Sequence, residues 1–419
     1  MTTRTKTAAP AWAWVPPLYY VQGLPYVVIM SVSVAMYNDL GMRNAEVGLY
    51  TSLLYLPWVV KPFWSPLVDL TRTKRWWTLV MQALMALGFA GIAAVLHAPG
   101  FVVASLALLW VLAFASATHD IAADGFYMLA LSEREQALFS GVRSTFYRLA
   151  MMSGEGGILL LAAWLATRSG DKAGAWSSSF FVIAAVMVVM ALLLGLLLPR
   201  PAADRAALQG EGWLASLWET FRAFFVKDNI GIILAFILCY RLGESQLVKM
   251  AVPFLRDPHE AGGLALGLDV VGWINGTVGV LALLGGVLAA MHGLRHWLWW
   301  MIAAINLPNL AYVLLALWQP DNVYLIASLV GLEKFGYGFG FTAFMLYLIY
   351  VSQGSHQTAH YAFCTGFMAL GMMLPGMASG WVQEQIGYLS FFVWVLIAGI
   401  PGAVIAAFIP LDPAFGKKG

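Results

Sequence analysis

Residues 199–228 read PRPAADRAALQGEGWLASLWETFRAFFVKD and carry four acidic and four basic side chains. This polar stretch is the longest interruption in a chain that otherwise consists of apolar segments of membrane-spanning length, about 20 residues each. Six such segments precede it and six follow it. We therefore expect an all-α membrane protein with an N-terminal half at 1–198, a middle loop at 199–228 and a C-terminal half at 229–419.

The composition supports this class of protein. Apolar residues make up 61% of the chain, charged residues only 11%, and there are 18 Trp. The mean hydropathy of +0.78 excludes an ordinary soluble domain. The twelve predicted spans are 15–37, 46–68, 76–96, 100–128, 137–165, 175–198, 229–253, 262–291, 296–318, 322–351, 357–384 and 388–409.

Several classes of feature are not expected from this sequence. The two cysteines, Cys239 and Cys364, lie inside apolar runs, so no disulfide framework or metal site is predicted. The first apolar run lacks a typical cleavage site, so we read no removable signal peptide. We expect no bound cofactor, no metal, no nucleic-acid partner and a monomeric chain.

Basic residues are distributed unequally between the two sides of the predicted bundle. Thirteen Lys and Arg fall in the loops and tails on the side of the termini, and four fall in the loops on the other side. The positive-inside rule therefore places both termini in the cytoplasm.

Charged residues inside the spans are the candidates for function, because ionisable groups at membrane depth are costly. On the fourth span, SATHDIAAD at 116–124 places Asp120 and Asp124 on one helix face. Arg143 and Arg148 lie at comparable depths on the fifth span, so an Asp–Arg network between the two helices is expected. Such a network is either purely structural, neutralising buried charges, or part of a transport site.

Glu155 follows Arg148 by two helical turns, about 10 Å deeper and on the same face. No basic residue of its own helix lies next to it. Burial penalises the charged form of a carboxyl group, so Glu155 is a candidate proton-coupling residue. The alternative is a structural acid held by hydrogen bonds.

In the second half, Arg241 and Glu244 are three residues apart on the seventh span and face the same way. They either neutralise one another or act on substrate, with the Arg241 fork binding an anionic group. Lys249 extends the same stripe. On the tenth span, Glu333 and Lys334 point about 100° apart, so one of them is expected to line a cavity.

The loop DLTRTKR at 69–75 supplies candidate gating residues, Asp69, Arg72 and Arg75. Basic residues in this loop are also required by membrane orientation alone, so the gating interpretation has an equally strong alternative.

Motifs along nearly the whole chain resemble the AmpG-type permease family of the major facilitators. They are the 116–157 segment with S-A-T-H-D-I-x-x-D and Y-R-L-x-M-x-S-G-x-G, G-L-P at 23–25, K-P-F-W-S-P-L-V-D at 61–69, Y-R-L-G-E at 240–244 and P-F-L at 253–255. Where this family carries Gln and K-L-G-D, the chain has His119 and R-L-G-E, and Glu155 stands at a position where a small residue is expected.

The resemblance implies a major facilitator fold that works by alternating access between two halves. It also implies proton-driven import, across the bacterial inner membrane, of peptidoglycan fragments, N-acetylglucosaminyl-anhydro-muramyl peptides, or similar amino-sugar oligosaccharides. Relatives of the family include siderophore importers and acetyl-CoA carriers, so an importer of siderophores or other anionic metabolites is the alternative. His119 beside Asp120 does not make a catalytic dyad, because adjacent residues on a helix diverge, so no enzyme activity is expected.

The candidate site residues fall into three groups. The proton-coupling candidates are Asp120, Asp124, Glu155 and Glu244. The substrate-binding candidates are His119, Arg148, Arg241, Lys249, Glu333, Gln22 and Tyr147. The gating candidates are Asp69, Arg72 and Arg75.

Overall fold

The computed structural model describes residues 10–205, 213–277, 294–353 and 357–412. Regular secondary structure in these ranges is helical throughout. The spans of the first half are Ala11–Asp39, Asn44–Leu53 with Leu56–Thr71, Lys74–Val95, Phe101–Ala130, Glu133–Met152 with Ser153–Ile158 and Leu159–Ser169, and Lys172–Leu197.

The second half repeats this arrangement. Its spans are Ile230–Cys239 with Leu242–Arg256, the helical residues 268–277, Leu294–Asn306 with Leu307–Asn309 and Leu310–Trp318, Val323–Ser352, and the run Gln357–Ala398 followed by Ile400–Ala406. In that last run the chain turns at Gly387, whose φ of 72° ends the eleventh span and starts the twelfth.

Within the described ranges, nine helices are long and apolar enough to cross a membrane. One of the nine, Ala359–Ala406, contains both the eleventh and the twelfth span. The second span is interrupted at Leu54–Tyr55, and residues 278–291 of the predicted eighth span lie outside the described part of the chain. The helices thus fit the twelve-span, all-α architecture expected from the sequence.

Helix starts follow local sequence signals. The Thr73 side chain accepts a hydrogen bond from the backbone N–H of Trp76 at the start of the third span. Ser132 and Glu135 form a reciprocal capping box at the start of the fifth span. These caps fix where the charged side chains of both spans lie along the bundle axis.

Two short π-helical segments interrupt the long helices. One is Val28–Val32 in the first span and the other is Ser153–Ile158 in the fifth span, and they pack against each other. A π turn holds an extra residue and is found frequently at functional sites. Both segments were absent from the sequence-based prediction, because helical periodicity carries no signal for a single inserted residue.

The two ends of the bundle are chemically different. We call the end with residues 72–75, 131–132 and 198–205 the basic end. The other end, with residues 40–43, 96–100, 170–171, 257–267, 319–322 and 387, is called the opposite end. Consecutive spans run between these two ends in alternation.

The halves pack on each other through the second and eleventh spans and through the fifth and eighth spans. Glycines allow these contacts. A Cβ atom on Gly156 of the fifth span would lie 2.5 Å from the Cα of Gly276 on the eighth. At the opposite end, a Cβ atom on Gly380 of the eleventh span would overlap the carbonyl oxygen of Asn44, so only glycine fits there.

The predicted middle loop contains a helix, Trp213–Phe225. Phe224 of this helix is fully buried and stacks on Phe367, with ring centroids 6.3 Å apart, and it also contacts Phe363. The following Lys227 donates to the carbonyl oxygen of Val351 at the end of the tenth span. The helix is therefore attached to the second half of the protein.

Candidate functional site

Asp120 on the fourth span lies in a polar environment supplied by neighbouring spans. The indole nitrogen of Trp58 donates a hydrogen bond to its carboxylate over 2.9 Å. The Gln22 side chain approaches the same carboxylate, and the charge of Lys61 acts on it. The Asp–Arg network predicted between the fourth and fifth spans does not extend to Asp120, which forms no ion pair within the described ranges.

Asp124, one turn nearer the basic end, forms the Asp–Arg contact that the sequence predicts. Its carboxylate lies 3.2 Å from the guanidinium of Arg143 and accepts a hydrogen bond from the Tyr19 hydroxyl over 3.1 Å. The guanidinium also lies over the rings of Tyr19 and Tyr127, at 4.6 and 5.5 Å from their centroids. Asp124 is thus neutralised inside the first half.

Arg241 and Glu244 form a buried, two-bond ion pair. Arg241 Nε and Nη2 donate to the two carboxylate oxygens over 2.5 and 2.6 Å. Arg241 lies where the seventh span breaks between Cys239 and Leu242, and its guanidinium lies 4.9 Å from the Phe341 ring centroid. Of the two alternatives for this pair, mutual neutralisation is the arrangement present in the structure.

Tyrosines from both halves surround these charged groups. Tyr26 of the first span packs against Trp58 and Tyr147, with ring centroids 5.4 and 6.2 Å apart. Tyr55 of the second span lies close to Tyr26 and to the Arg241 charge. Tyr147 is in turn close to Asp120 and to Tyr337 of the tenth span.

We call this set the central site: Asp120, Arg148, Arg241, Glu244, Tyr26, Tyr55, Tyr147 and Tyr337. Arg148 of this site is half-buried, and its guanidinium forms no ion pair or hydrogen bond with the described residues. Its charge acts on Tyr337 across the boundary between the halves. An unpaired guanidinium beside aromatic rings can bind a carboxylate or phosphate group.

Lys249 lies on the opposite-end side of the central site and links the halves. Its ammonium donates to the Met30 carbonyl over 3.3 Å and to the Thr51 hydroxyl over 3.0 Å. It also lies 5.3 Å from the Tyr55 ring centroid. The Met30 carbonyl belongs to the π-helical segment of the first span, so the extra residue there supplies an acceptor for Lys249.

Glu155 lies in the π-helical segment of the fifth span and accepts a hydrogen bond from the Ser31 hydroxyl over 3.0 Å. The Lys334 ammonium of the tenth span lies close enough for its charge to interact with both Glu155 and Glu333. Of the adjacent residues 333 and 334, Lys334 lines a cavity together with Glu155, and Glu333 is buried.

His119 lies apart from the central site. It is buried at the boundary of the third and fourth spans, where its Nε2 atom is 3.0 Å from the Gln82 side-chain nitrogen. The sequence placed it next to Asp120, but consecutive helical residues diverge, so His119 faces the interior of the first half.

The predicted gating residues make contacts inside the first half. Arg75 donates to the carbonyl oxygens of Leu198 and Gly195 over 3.2 and 2.6 Å. Arg72 is exposed and lies 5.7 Å from the Trp76 ring centroid. The side chain of Asp69 lies outside the described part of the structure.

Polar contacts between the halves are instead concentrated at the opposite end. Arg256 forms a 2.5 Å ion pair with Asp39, which also accepts from the Trp176 indole over 2.8 Å. The neighbouring Asp257 carboxylate accepts from Asn44 over 2.9 Å. This interlock was missed from the sequence, because its members lie at predicted span ends and in short loops where polar residues are ordinary.

Asn44 extends the interlock to the eleventh and twelfth spans. Its side-chain amide donates toward Gln383 and Tyr388 over 3.0 and 2.9 Å. The backbone N–H of Ala45 donates to Glu384 over 2.9 Å. We call the set Asp39, Asn44, Arg256, Asp257, Gln383, Glu384 and Tyr388 the opposite-end interlock.

The part of the chain that the structure describes contains no cluster of metal-ligating side chains. No group of three or more His, Cys, Asp or Glu side chains there could hold a metal ion. What the geometry offers is a polar, aromatic-lined site between two helical halves, with a closed polar interface at one end.

Comparison with known proteins agrees with this architecture. The sequence profile of the Major Facilitator Superfamily matches residues 19–351. The Anhydromuropeptide permease of Escherichia coli strain K12 is 26% identical over 404 residues, which cover 93% of this chain and 77% of the relative. A transporter designated AmpG 4 from Rickettsia conorii is 24% identical over 403 residues, with 93% and 94% covered.

Solved structures share the fold. The inward-open xylose transporter XylE from E. coli superposes with a TM-score of 0.70 at 13% identity, covering 95% of this chain and 96% of that chain. The nucleoside transporter NupG gives a TM-score of 0.65 at 18% identity, with 94% and 96% covered. The protein is therefore a multi-pass membrane transporter that belongs to the Major Facilitator Superfamily and resembles its AmpG-type permeases along nearly its whole length.

Proposed function

We propose that this transporter imports peptidoglycan fragments, N-acetylglucosaminyl-anhydro-muramyl peptides or similar amino-sugar oligosaccharides, by proton symport. The observation that carries the proposal is the central site, where an unpaired Arg148, a carboxylate without an ion pair and tyrosines of both halves lie together. The name of the E. coli relative, Anhydromuropeptide permease, supports the substrate class.

The tyrosines supply the sugar-binding part of this proposal. Tyr26, Tyr147 and Tyr337 present ring faces and hydroxyl groups from three different spans. Aromatic side chains combine a large apolar surface with a polar end, which suits the mixed surface of an acetylated sugar. We assign them, with Gln22, to the sugar rings.

Arg148 supplies the anion-binding part. Its guanidinium is not consumed by an ion pair with the described residues, in contrast to Arg143 and Arg241. A carboxylate of the substrate would satisfy the planar donor fork with two hydrogen bonds. We therefore propose that the peptide or muramyl acid group of the substrate binds at Arg148.

Asp120 is our proposed proton carrier. Of the carboxylates predicted for coupling, Asp124 and Glu244 form ion pairs with Arg143 and Arg241, so their protonation would break an ion pair. Asp120 has only neutral hydrogen-bond donors in direct contact, and Lys61 acts on it from a greater distance. Protonation of Asp120 therefore costs no ion pair.

We propose further that the protein works as a monomer in the bacterial inner membrane, with the basic end and both termini in the cytoplasm. The positive-inside rule supports this orientation. In this orientation the interlock seals the periplasmic side, and its contacts must separate for substrate to enter from there.

The test is transport by the purified protein in proteoliposomes that contain a pH-sensitive dye. Addition of an anhydro-muropeptide is expected to acidify the lumen, while a chitin-type disaccharide and a ferric siderophore produce no signal. Acidification with the siderophore alone would indicate that the protein imports anionic metal chelates instead. Uptake of labelled muropeptide without acidification would support the proposed substrate and contradict proton coupling.

A further inference from the structure

A second polar cavity lies beside the central site, on its opposite-end side. By helix rise, Glu155 is about 21 Å from the opposite end of its span at Ser169. The cavity is partly open and has a volume of about 40 Å³. Its polar lining residues are Ser31, Glu155, Asn275, Tyr312 and Lys334, and the remaining wall is largely aliphatic.

Two opposite charges face this cavity from different halves of the protein. Glu155 belongs to the fifth span and Lys334 to the tenth, and their charges interact. They do not approach within ion-pair distance, since the described structure contains no Glu155–Lys334 salt bridge. The Lys334 charge also interacts with Glu333, and the space between Lys334 and Glu155 is open to a group that carries both charges.

Neutral hydrogen-bonding groups at the cavity also lack protein partners. Tyr312 is 1% exposed and Asn275 8% exposed, and neither side chain hydrogen-bonds to a described residue. Both side chains line the cavity and are not among the buried polar atoms that lack a partner, so their polar atoms are accessible to a polar occupant. The Ser31 hydroxyl is already committed to Glu155.

We propose that this cavity binds a zwitterionic amino-carboxylate group of the substrate, with its ammonium at Glu155 and its carboxylate at Lys334. Asn275 and Tyr312 complete the hydrogen bonds to the carboxylate. The inference rests on the proposed function, because it assigns the free amino-carboxylate end of the substrate's peptide to this cavity, while the sugars and the acid group at Arg148 remain in the central site. It gives Glu155 a ligand-binding role in place of the proton-coupling role predicted from the sequence.

A ligand bound in this way would connect the two halves. Each charge of the ligand is satisfied by a different half, so both contacts form together only when the fifth and tenth spans are close. A substrate that lacks either charge would leave one buried ion without its partner, which costs affinity. Selectivity for an intact amino-carboxylate follows.

The experiment uses the full-length protein in proteoliposomes and four probes. Three are N-acetylglucosaminyl-anhydro-muramyl peptides that end in diaminopimelate: one unmodified, one acetylated at the terminal amine and one amidated at the terminal carboxylate. The fourth is the peptide-free disaccharide. We expect the KM of the unmodified peptide to be at least tenfold lower than that of either blocked form.

Substitutions of Glu155 and Lys334 test the two charged residues one at a time. Glu155→Gln is expected to abolish the preference for the free amine and keep that for the free carboxylate, while Lys334→Met does the reverse. Glu260→Gln, an exposed loop carboxylate, serves as the control and should behave as wild type. Equal KM values for all three peptides on the wild-type protein would overturn the inference.

A binding measurement keeps this inference distinct from the proposed function. Titration calorimetry with free diaminopimelate and with its N,N′-diacetylated form tests the cavity without transport. Transport of all four probes with no preference would contradict the cavity assignment but not the proposed function. Selective binding of free diaminopimelate with no muropeptide uptake supports the cavity and contradicts the proposed substrate.

Discussion

At the scale of single residues, Asp120 illustrates why sequence identifies candidates better than partners. Helix geometry predicted the depth of Asp120 in the membrane and the helix face on which it lies. Asp124 contacts Arg143 because the fourth and fifth spans are neighbours along the chain. The contacts of Asp120 with Trp58 and Lys61 come from the second span, and no local pattern indicates that packing. Sequence therefore predicted the carboxylate but assigned it the wrong neighbour.

Replacing Asp120 by Asn should abolish proton-driven accumulation and leave exchange intact. The amide retains the shape and the hydrogen bond with Trp58 but cannot release a proton at physiological pH. The measurement compares uptake driven by a pH gradient with counterflow in preloaded proteoliposomes. Asp321→Asn at the exposed opposite end is the matched control. Accumulation by Asp120→Asn at the wild-type level would contradict its role as proton carrier.

Replacing Arg148 by Gln should raise the KM for an anionic substrate by about tenfold or more, because a charge-assisted pair of hydrogen bonds is lost. Arg148→Lys should recover part of this loss, since the charge remains but the planar fork does not. Initial uptake rates measure both effects. Arg168→Gln, whose guanidinium lies over Trp164 near the opposite end, is the control. Unchanged KM values in both Arg148 variants would place the anion elsewhere.

At the scale of helices, the spans were predictable because about 20 apolar residues in a row have few alternatives. The irregularities inside these helices were not predictable from the sequence. Helical periodicity put Glu155 on the same face as Arg148, but the π-helical segment Ser153–Ile158 changes the phase of the helix between them. Arg148 therefore lies near Tyr337, and Glu155 lies beside Ser31. A one-residue insertion of this kind depends on packing against the first span.

The contact of the fifth and eighth spans gives a prediction with a control one residue away. In Gly156→Ala the new methyl group meets the Gly276 backbone, and overpacking of this kind costs about 1–3 kcal/mol. A Cβ at Gly157 meets no atom within 4 Å, so Gly157→Ala should be neutral or slightly stabilising. Thermal unfolding in detergent measures both variants. Equal melting temperatures would show that the two helices separate without cost.

At the scale of the whole molecule, the two ends differ in how the halves meet. The basic-end motif at 72–75 binds within the first half, whereas the opposite-end interlock joins both halves through Asp39 with Arg256 and Asn44 with Asp257. The gating role predicted for Asp69, Arg72 and Arg75 stays a prediction, and the described contacts between the halves lie at the opposite-end interlock. Which end is closed depends on pairings between distant residues, and a single sequence does not contain them.

Covalent closure of the interlock should stop transport. Ala45→Cys and Glu384→Cys, in a background with Cys239→Ala and Cys364→Ala, place thiols where the Ala45 N–H and the Glu384 carboxylate now meet. A short thiol-reactive crosslinker should abolish uptake through the pair and spare each single-cysteine protein. Cleavage of a reducible crosslinker should restore it. Persistent uptake by the fully crosslinked pair would show that the interlock does not open during transport.

The helix Trp213–Phe225 also determines how far the two halves can part at the basic end. Its Phe224 is buried against the second half, while Asp204 accepts from the backbone N–H groups of Lys74 and Arg75 in the first half over 2.7 and 3.0 Å. The chain from Asp204 to Phe224 therefore joins the two halves at the basic end. While both anchors hold, the length of chain between them limits how widely the halves can part.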